Sequence, residues 1–79
     1  MSEPPAPVMV DARGHRCPTP TLRLRRALER AEPGARVTLL ADDPMARIDV
    51  PHFARQAGHE VVETREDGAT LIFTVARSG

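Results

Sequence analysis

One thiol is present in this chain, Cys17, in the run Cys17-Pro18-Thr19-Pro20. A cysteine attacks as its thiolate, and the start of a helix or nearby cations can bring its pKa from about 8.5 down to roughly 3.5 to 7.5. The apolar pattern that begins at Leu24 is helical, so Cys17 falls where a loop passes into a helix. Pro18 and Pro20 each fix their own backbone angle and disfavour helical geometry at the residue before, so Cys17 and Thr19 are both predicted to be held extended, with one of them as the N-cap. Gly14 breaks the chain direction just upstream. Arg13, His15 and Arg16 lie within a few residues of the thiol and bring positive charge to it in sequence.

A single thiol narrows the chemistry. With no resolving cysteine and no Cys-x-x-Cys pair, a dithiol redox cycle within the chain is disfavoured, whereas a persulfide needs one sulfur to receive and one partner thiol to accept. Free cysteines are often small buried hydrophobes, but a helix start between prolines and arginines is a poor place to bury one. A Cys/His metal set built from His15, Cys17 and either His52 or His59 has neither a second cysteine nor a recognised ligand spacing. No metal and no cofactor is expected.

The elements that position Cys17 are legible from periodicity. Val8-Met9-Val10 with Asp11 reads as a short strand after a proline-rich leader, residues 1–7, expected to be flexible. Leu24, Ala27, Leu28 and Ala31 recur at i, i+3, i+4 and i+7, the stripe of an amphipathic helix stopped by Pro33-Gly34. Val37 to Ala41 is nearly continuous in apolar character, as in an inner strand. Val50, Phe53, Ala54 and Ala57 repeat the helical spacing, and Pro51 among them predicts a turn over 44–48 followed by a helix with Pro51 in its first turn and Gly58 as its stop. His59 to Thr64 and Thr70 to Val75 read as strands joined through Glu66-Asp67-Gly68, whose Asp-Gly pair signals a hairpin. The order βαβαββ gives an α+β fold, a two-layer sandwich with both helices on one face of a mixed four-stranded sheet.

Seventy-nine residues, 41% hydrophobic and 28% charged, make one domain, taken as 8–77, with an aliphatic core. One cysteine in so short a chain favours a reducing compartment, and with no apolar run of about 18 residues and no signal-like N-terminus the cytoplasm is expected, with no membrane partner. Net charge is zero, yet residues 13 to 30 hold six arginines against the single acid Glu29. That stretch makes a direct nucleic-acid partner the rival expectation. Zero net charge and the absence of Tyr and Trp weigh against it, and no direct nucleic acid contact is expected. Arg23, Arg26 and Arg30 lie off the apolar stripe, as does Leu22, so this helix offers a face for an acidic partner protein. A thiol-based redox sensor is the other alternative.

The order and spacing of Asp11-x-x-Gly14-x-x-Cys17-Pro18-x-Pro20, Pro33-Gly34, Asp42-Asp43-Pro44, Asp49-Val50-Pro51 and Gly58-His59-Glu60 resemble the TusA-like (SirA-like) sulfur-carrier family over about residues 8 to 77. The resemblance implies a persulfide on Cys17, framed by Gly14, Pro18 and Pro20. It implies sulfur received from a cysteine desulfurase or a rhodanese-type donor and passed to an acceptor protein in tRNA 2-thiolation, molybdenum-cofactor assembly or sulfur oxidation. Such a chain is a sulfurtransferase-type carrier rather than an enzyme turning over alone. Candidate docking residues around the thiol are Arg13, Arg16, Leu22, Arg25, Arg26, Asp42 and Asp43. Thr19 stands where close relatives often carry glutamate, and Arg26 where lysine is frequent; both differences bear on the partner more than on the chemistry.

Overall fold

The computed structural model describes residues 8–16 and 19–78. The leader, Cys17, Pro18 and Gly79 lie outside the described residues. The elements are β1 (Val8–Asp11), α1 (Thr19–Arg30), β2 (Arg36–Ala41), α2 (Ala46–Ala57), β3 (Glu60–Asp67) and β4 (Thr70–Ala76). They form one sheet in the order β1-β2-β4-β3. β1 and β2 are parallel and joined through α1, while β4 runs antiparallel to both β2 and β3.

Alternation along the central strands decides which face is covered. Val37, Leu39 and Ala41 of β2 and Leu71, Phe73 and Val75 of β4 are buried, and they share one cluster with Leu24 and Leu28 of α1 and Val50 and Ala54 of α2. Both helices therefore lie on one face of a mixed four-stranded sheet, the α+β sandwich expected. The outer edge strand β3 carries Glu60, Glu63, Arg65, Glu66 and Asp67 and a bulge between Val61 and Glu63, features that block pairing with another chain.

The structure corrects three local expectations. α2 begins at Ala46, before the predicted turn is over, and Pro51 is its sixth residue rather than part of its first turn. The first amides bond in the tight i→i−3 pattern, Ala46 to Asp43, Arg47 to Pro44 and Ile48 to Met45. The turn expected over 44–48 is thus the opening of the helix itself, and Pro51 follows it without giving the Arg47 carbonyl an amide partner. The earlier start also moves the buried stripe: Ala46, Val50 and Ala54 are buried and Ala57 is exposed.

At the hairpin, β3 runs on through Asp67, which pairs with Thr70, so the two-residue loop is Gly68-Ala69. Gly68 has φ 60°, and among the described residues none other than glycine has positive φ. That is the pattern of a type II′ turn, with glycine at the first central position, in place of the Asp-Gly turn read from the sequence. The stop at Gly58 is as expected. Its φ is 80°, its amide donates to the Arg55 carbonyl, and the His59 amide donates to the Ala54 carbonyl at 2.8 Å, the two bonds of a Schellman motif.

The third correction concerns Thr19. It is already the first residue of α1, with its amide donating to the Arg16 carbonyl at 3.0 Å, so it is neither extended nor the N-cap. The pre-proline bias against helix is overridden because Pro20 buries its ring in the core, and at the second helical position its missing N–H has no intrahelical acceptor to lose.

Candidate functional site

The described residues that flank Cys17 are held from both sides. Downstream, α1 is fixed by Pro20, Leu24 and Leu28, all buried. Upstream, β1 ends at Asp11 and the chain stays in register with β2 for one more bond, from the Ala12 amide to the Leu40 carbonyl at 2.8 Å. The loop then closes on itself, the His15 amide donating to the Ala12 carbonyl at 3.2 Å. At its middle, the Gly14 amide donates to both carboxylate oxygens of Asp42, each at 3.0 Å. Gly14 has φ 84°, and a Cβ there would meet nothing within 4 Å, so glycine is required by the backbone angle and not by crowding.

Gly14, His15 and Arg16 line an open cleft of about 400 Å³ together with Asp42, Asp43 and Pro44. The two acids serve different ends. Asp42 reaches across to the loop before the thiol, and the Asp43 carboxylate accepts the Met45 amide at 3.0 Å, which shapes the entry to α2. Arg16 and His15 face this cleft. Arg13 does not contribute a free charge: its backbone amide and its guanidinium both donate to Asp11, at 3.1 Å and at 2.9 and 2.8 Å.

That pairing lowers the Asp11 pKa from 3.8 to about 2, first through the hydrogen bond from the Arg13 side chain and then through the one from its backbone. A carboxyl whose folded pKa is depressed supports the fold above its unfolded pKa and loses that support as the pH falls from about 3.8 toward 2. Arg13→Ala is expected to return the Asp11 pKa most of the way to its ordinary value, read from the side-chain carboxyl carbon shift in an NMR pH titration. An unchanged titration would show that Arg13 is not the partner that holds it down.

The other docking candidates divide between surfaces. Leu22 is 55% exposed and lines, with Arg25, a second groove of about 330 Å³ between α1 and α2, completed by Thr21, Asp49, His52, Phe53 and Gln56. Arg25 also pairs with Glu29 at 3.2 Å. Arg26 is exposed on α1 and lines neither hollow. An exposed apolar pair at the start of α2, Ile48 at 65% and Met45 at 50%, is absent from the sequence candidates. Its signal was present, since Met45 and Ile48 fall off the Val50 and Ala54 stripe. Among the described residues no group of three or more His, Cys, Asp and Glu side chains could hold a metal. The histidines weighed for such a set are dispersed: His15 lines the first cleft, His52 the second groove, and His59 packs on Phe53 and accepts the Ser78 amide. No helix among the described residues is long and apolar enough to cross a membrane.

With this geometry in hand, the comparisons with known proteins converge. The model of the family described as sulfurtransferase TusA matches residues 8–77. A sulfur carrier protein TusA from Pseudomonas paraeruginosa is 33% identical over 73 residues, 92% of each chain, and one from Pseudomonas aeruginosa is 33% identical over 69 residues, 87% of each. The crystal structure of a SirA-like protein from Desulfitobacterium hafniense superposes with a TM-score of 0.80 at 28% identity, covering 91% of this chain and 99% of the other.

Proposed function

Since the chain belongs to the TusA sulfurtransferase family, we propose that it is a sulfur carrier whose Cys17 accepts sulfur as a persulfide and relays it to an acceptor protein. The observation that carries this reading is the family match over 8–77 onto a chain whose only thiol fills the Cys-Pro-x-Pro position, two residues before α1 begins at Thr19.

The chemistry is thiol–disulfide exchange extended by one sulfur. The Cys17 thiolate attacks the terminal sulfur of a donor's persulfide; the donor's S–S bond breaks, a new S–S bond forms at Cys17, and the donor leaves as a thiolate. The acceptor's thiolate then attacks the terminal sulfur on Cys17 in the same way, so neither step needs an oxidant or reductant. A thiolate at the N-terminal end of α1 is favoured by the positive end of the helix dipole, although the Thr19 amide is given to the Arg16 carbonyl and Pro20 has none, and Arg16 beside it in sequence adds positive charge. Each transfer requires a partner protein to bring its own sulfur to Cys17. The cleft around Arg16 and the surface of Leu22, Arg25 and Arg26 are where that partner docks, its acidic groups meeting these arginines. The donor is a cysteine desulfurase or a rhodanese-type protein, and the acceptor belongs to tRNA 2-thiolation, molybdenum-cofactor assembly or sulfur oxidation. A free thiol that must stay reduced fits the cytoplasm.

Mixed with a cysteine desulfurase and cysteine, the protein is expected to gain one sulfur in mass spectrometry run without reductant, and to lose it on addition of a thiol reductant. A bare thiol after exposure to both a desulfurase and a rhodanese-type donor would overturn the carrier reading.

A further inference from the structure

We propose that Asp42 is a positioning residue for the sulfur relay, acting through the hydrogen bond that its carboxylate accepts from the Gly14 amide. The inference rests on the carrier reading for the words "sulfur relay" but on geometry for the positioning. Loop 12–16 leaves the sheet after the Ala12 bond to Leu40 and reaches α1 at Thr19. Between those anchors, the Gly14 amide bonds to Asp42, a contact spanning 28 residues of sequence. Both carboxylate oxygens lie 3.0 Å from one amide, so the acceptor is centred on the donor. The Asp11–Arg13 pairs tie the loop only to the end of β1 that it has just left, two residues away, whereas Asp42 ties it to the end of β2.

Asp42 is exposed and its backbone follows directly on β2, so its side chain hangs from the rigid centre of the sheet. A charge-assisted hydrogen bond from such a base holds the loop whose far end carries Cys17. The charged and titratable groups lining the cleft are His15, Arg16, Asp42 and Asp43, so Asp42 also brings a negative charge to the loop that precedes Cys17 in sequence, and a negative charge by itself opposes a thiolate. The two roles have opposite signs. Loss of the charge alone eases ionisation of Cys17, whereas loss of the positioning hydrogen bond lets the loop leave the place where the helix dipole and Arg16 favour the thiolate.

The test compares wild type with Asp42→Ala and Asp42→Asn, the second keeping an acceptor oxygen without the charge. Two readouts are needed. The first is the pH dependence of Cys17 alkylation by iodoacetamide, which requires no sulfur transfer. The second is the rate of sulfur uptake from a persulfidated cysteine desulfurase. Asp42→Ala is expected to raise the alkylation midpoint and slow uptake about tenfold or more, since small displacements of a reacting group carry costs of that order. Asp42→Asn is expected to keep uptake within about twofold and to leave the midpoint unchanged or lowered. If both variants lower the midpoint alike, Asp42 acts by charge and the proposal fails; if both match wild type in both readouts, it has no role in positioning and the proposal also fails. If wild type takes up no sulfur at all, the carrier reading falls, and the alkylation midpoints still decide whether Asp42 positions the thiol.

Discussion

Cys17→Ser is expected to take up no sulfur from any donor, with no residual transfer above background. The size of the effect follows from the composition, because the chain has a single cysteine and no second thiol can inherit the role. A serine hydroxyl at neutral pH is neither ionised nor able to hold a sulfane sulfur as an S–S bond, so the loss is of the bond itself and not of a fraction of the rate. The measurement is non-reducing mass spectrometry of the variant after incubation with a persulfidated desulfurase. The same variant separates the competing readings. Salt-dependent RNA binding that survives Cys17→Ser would favour a binding module built on the arginine-rich α1, whereas a wild-type thiol that forms a stable sulfenic acid and accepts no sulfur would favour a redox sensor. Sulfur appearing on Cys17→Ser at the wild-type level would remove the thiol from the mechanism altogether.

The parts of the fold governed by local periodicity were readable in the sequence, and the parts governed by contacts between distant residues were not. The α1 stripe of Leu24 and Leu28 is buried as the spacing predicts, and Val37 to Ala41 is the inner strand its apolar run implies. The start of α2 is not legible in the same way, because Pro51 signals a boundary that the folded chain does not use. In the folded chain Asp43 supplies both a side-chain acceptor to Met45 and a carbonyl to Ala46, so the helix opens before the proline is reached. The hairpin was displaced by one residue because Asp-Gly is the stronger pair in isolation, while the register of β3 against β4 leaves only Gly68 and Ala69 outside the ladder.

At the site the same division holds. The thiol and its prolines announce themselves by type and spacing. The charge of Arg13, which looked available to the thiol, is engaged by Asp11, and the motif showed this only in the closeness of an acid two residues earlier. The role of Asp42 had no local signal at all. Two adjacent aspartates before a proline are indistinguishable in sequence, yet one turns toward α2 and the other toward a loop 28 residues away.

Phe73→Ala is expected to cost about 3–5 kcal/mol of folding free energy, the largest effect of any single core truncation in this chain. Phe73 has the largest fully buried side chain among the described residues, and it stands on β4 between Leu39 of β2 and Thr64 of β3, facing both helices. Its neighbours are fixed by the sheet register and by the buried faces of α1 and α2, so they cannot close around an alanine and a cavity remains. A 79-residue domain has a total stability of about 4–12 kcal/mol, so this one substitution removes a large share of it and leaves a substantial unfolded population at physiological temperature. Leu22→Ala provides the contrast. It removes a side chain 55% exposed on α1 and is expected to change stability by no more than about 0.5 kcal/mol. Urea unfolding followed by circular dichroism reads both variants on one scale. If Leu22→Ala proved the costlier of the two, the apolar face of α1 would have to be reassigned, and Leu22 would belong to the interior and not to the exposed surface.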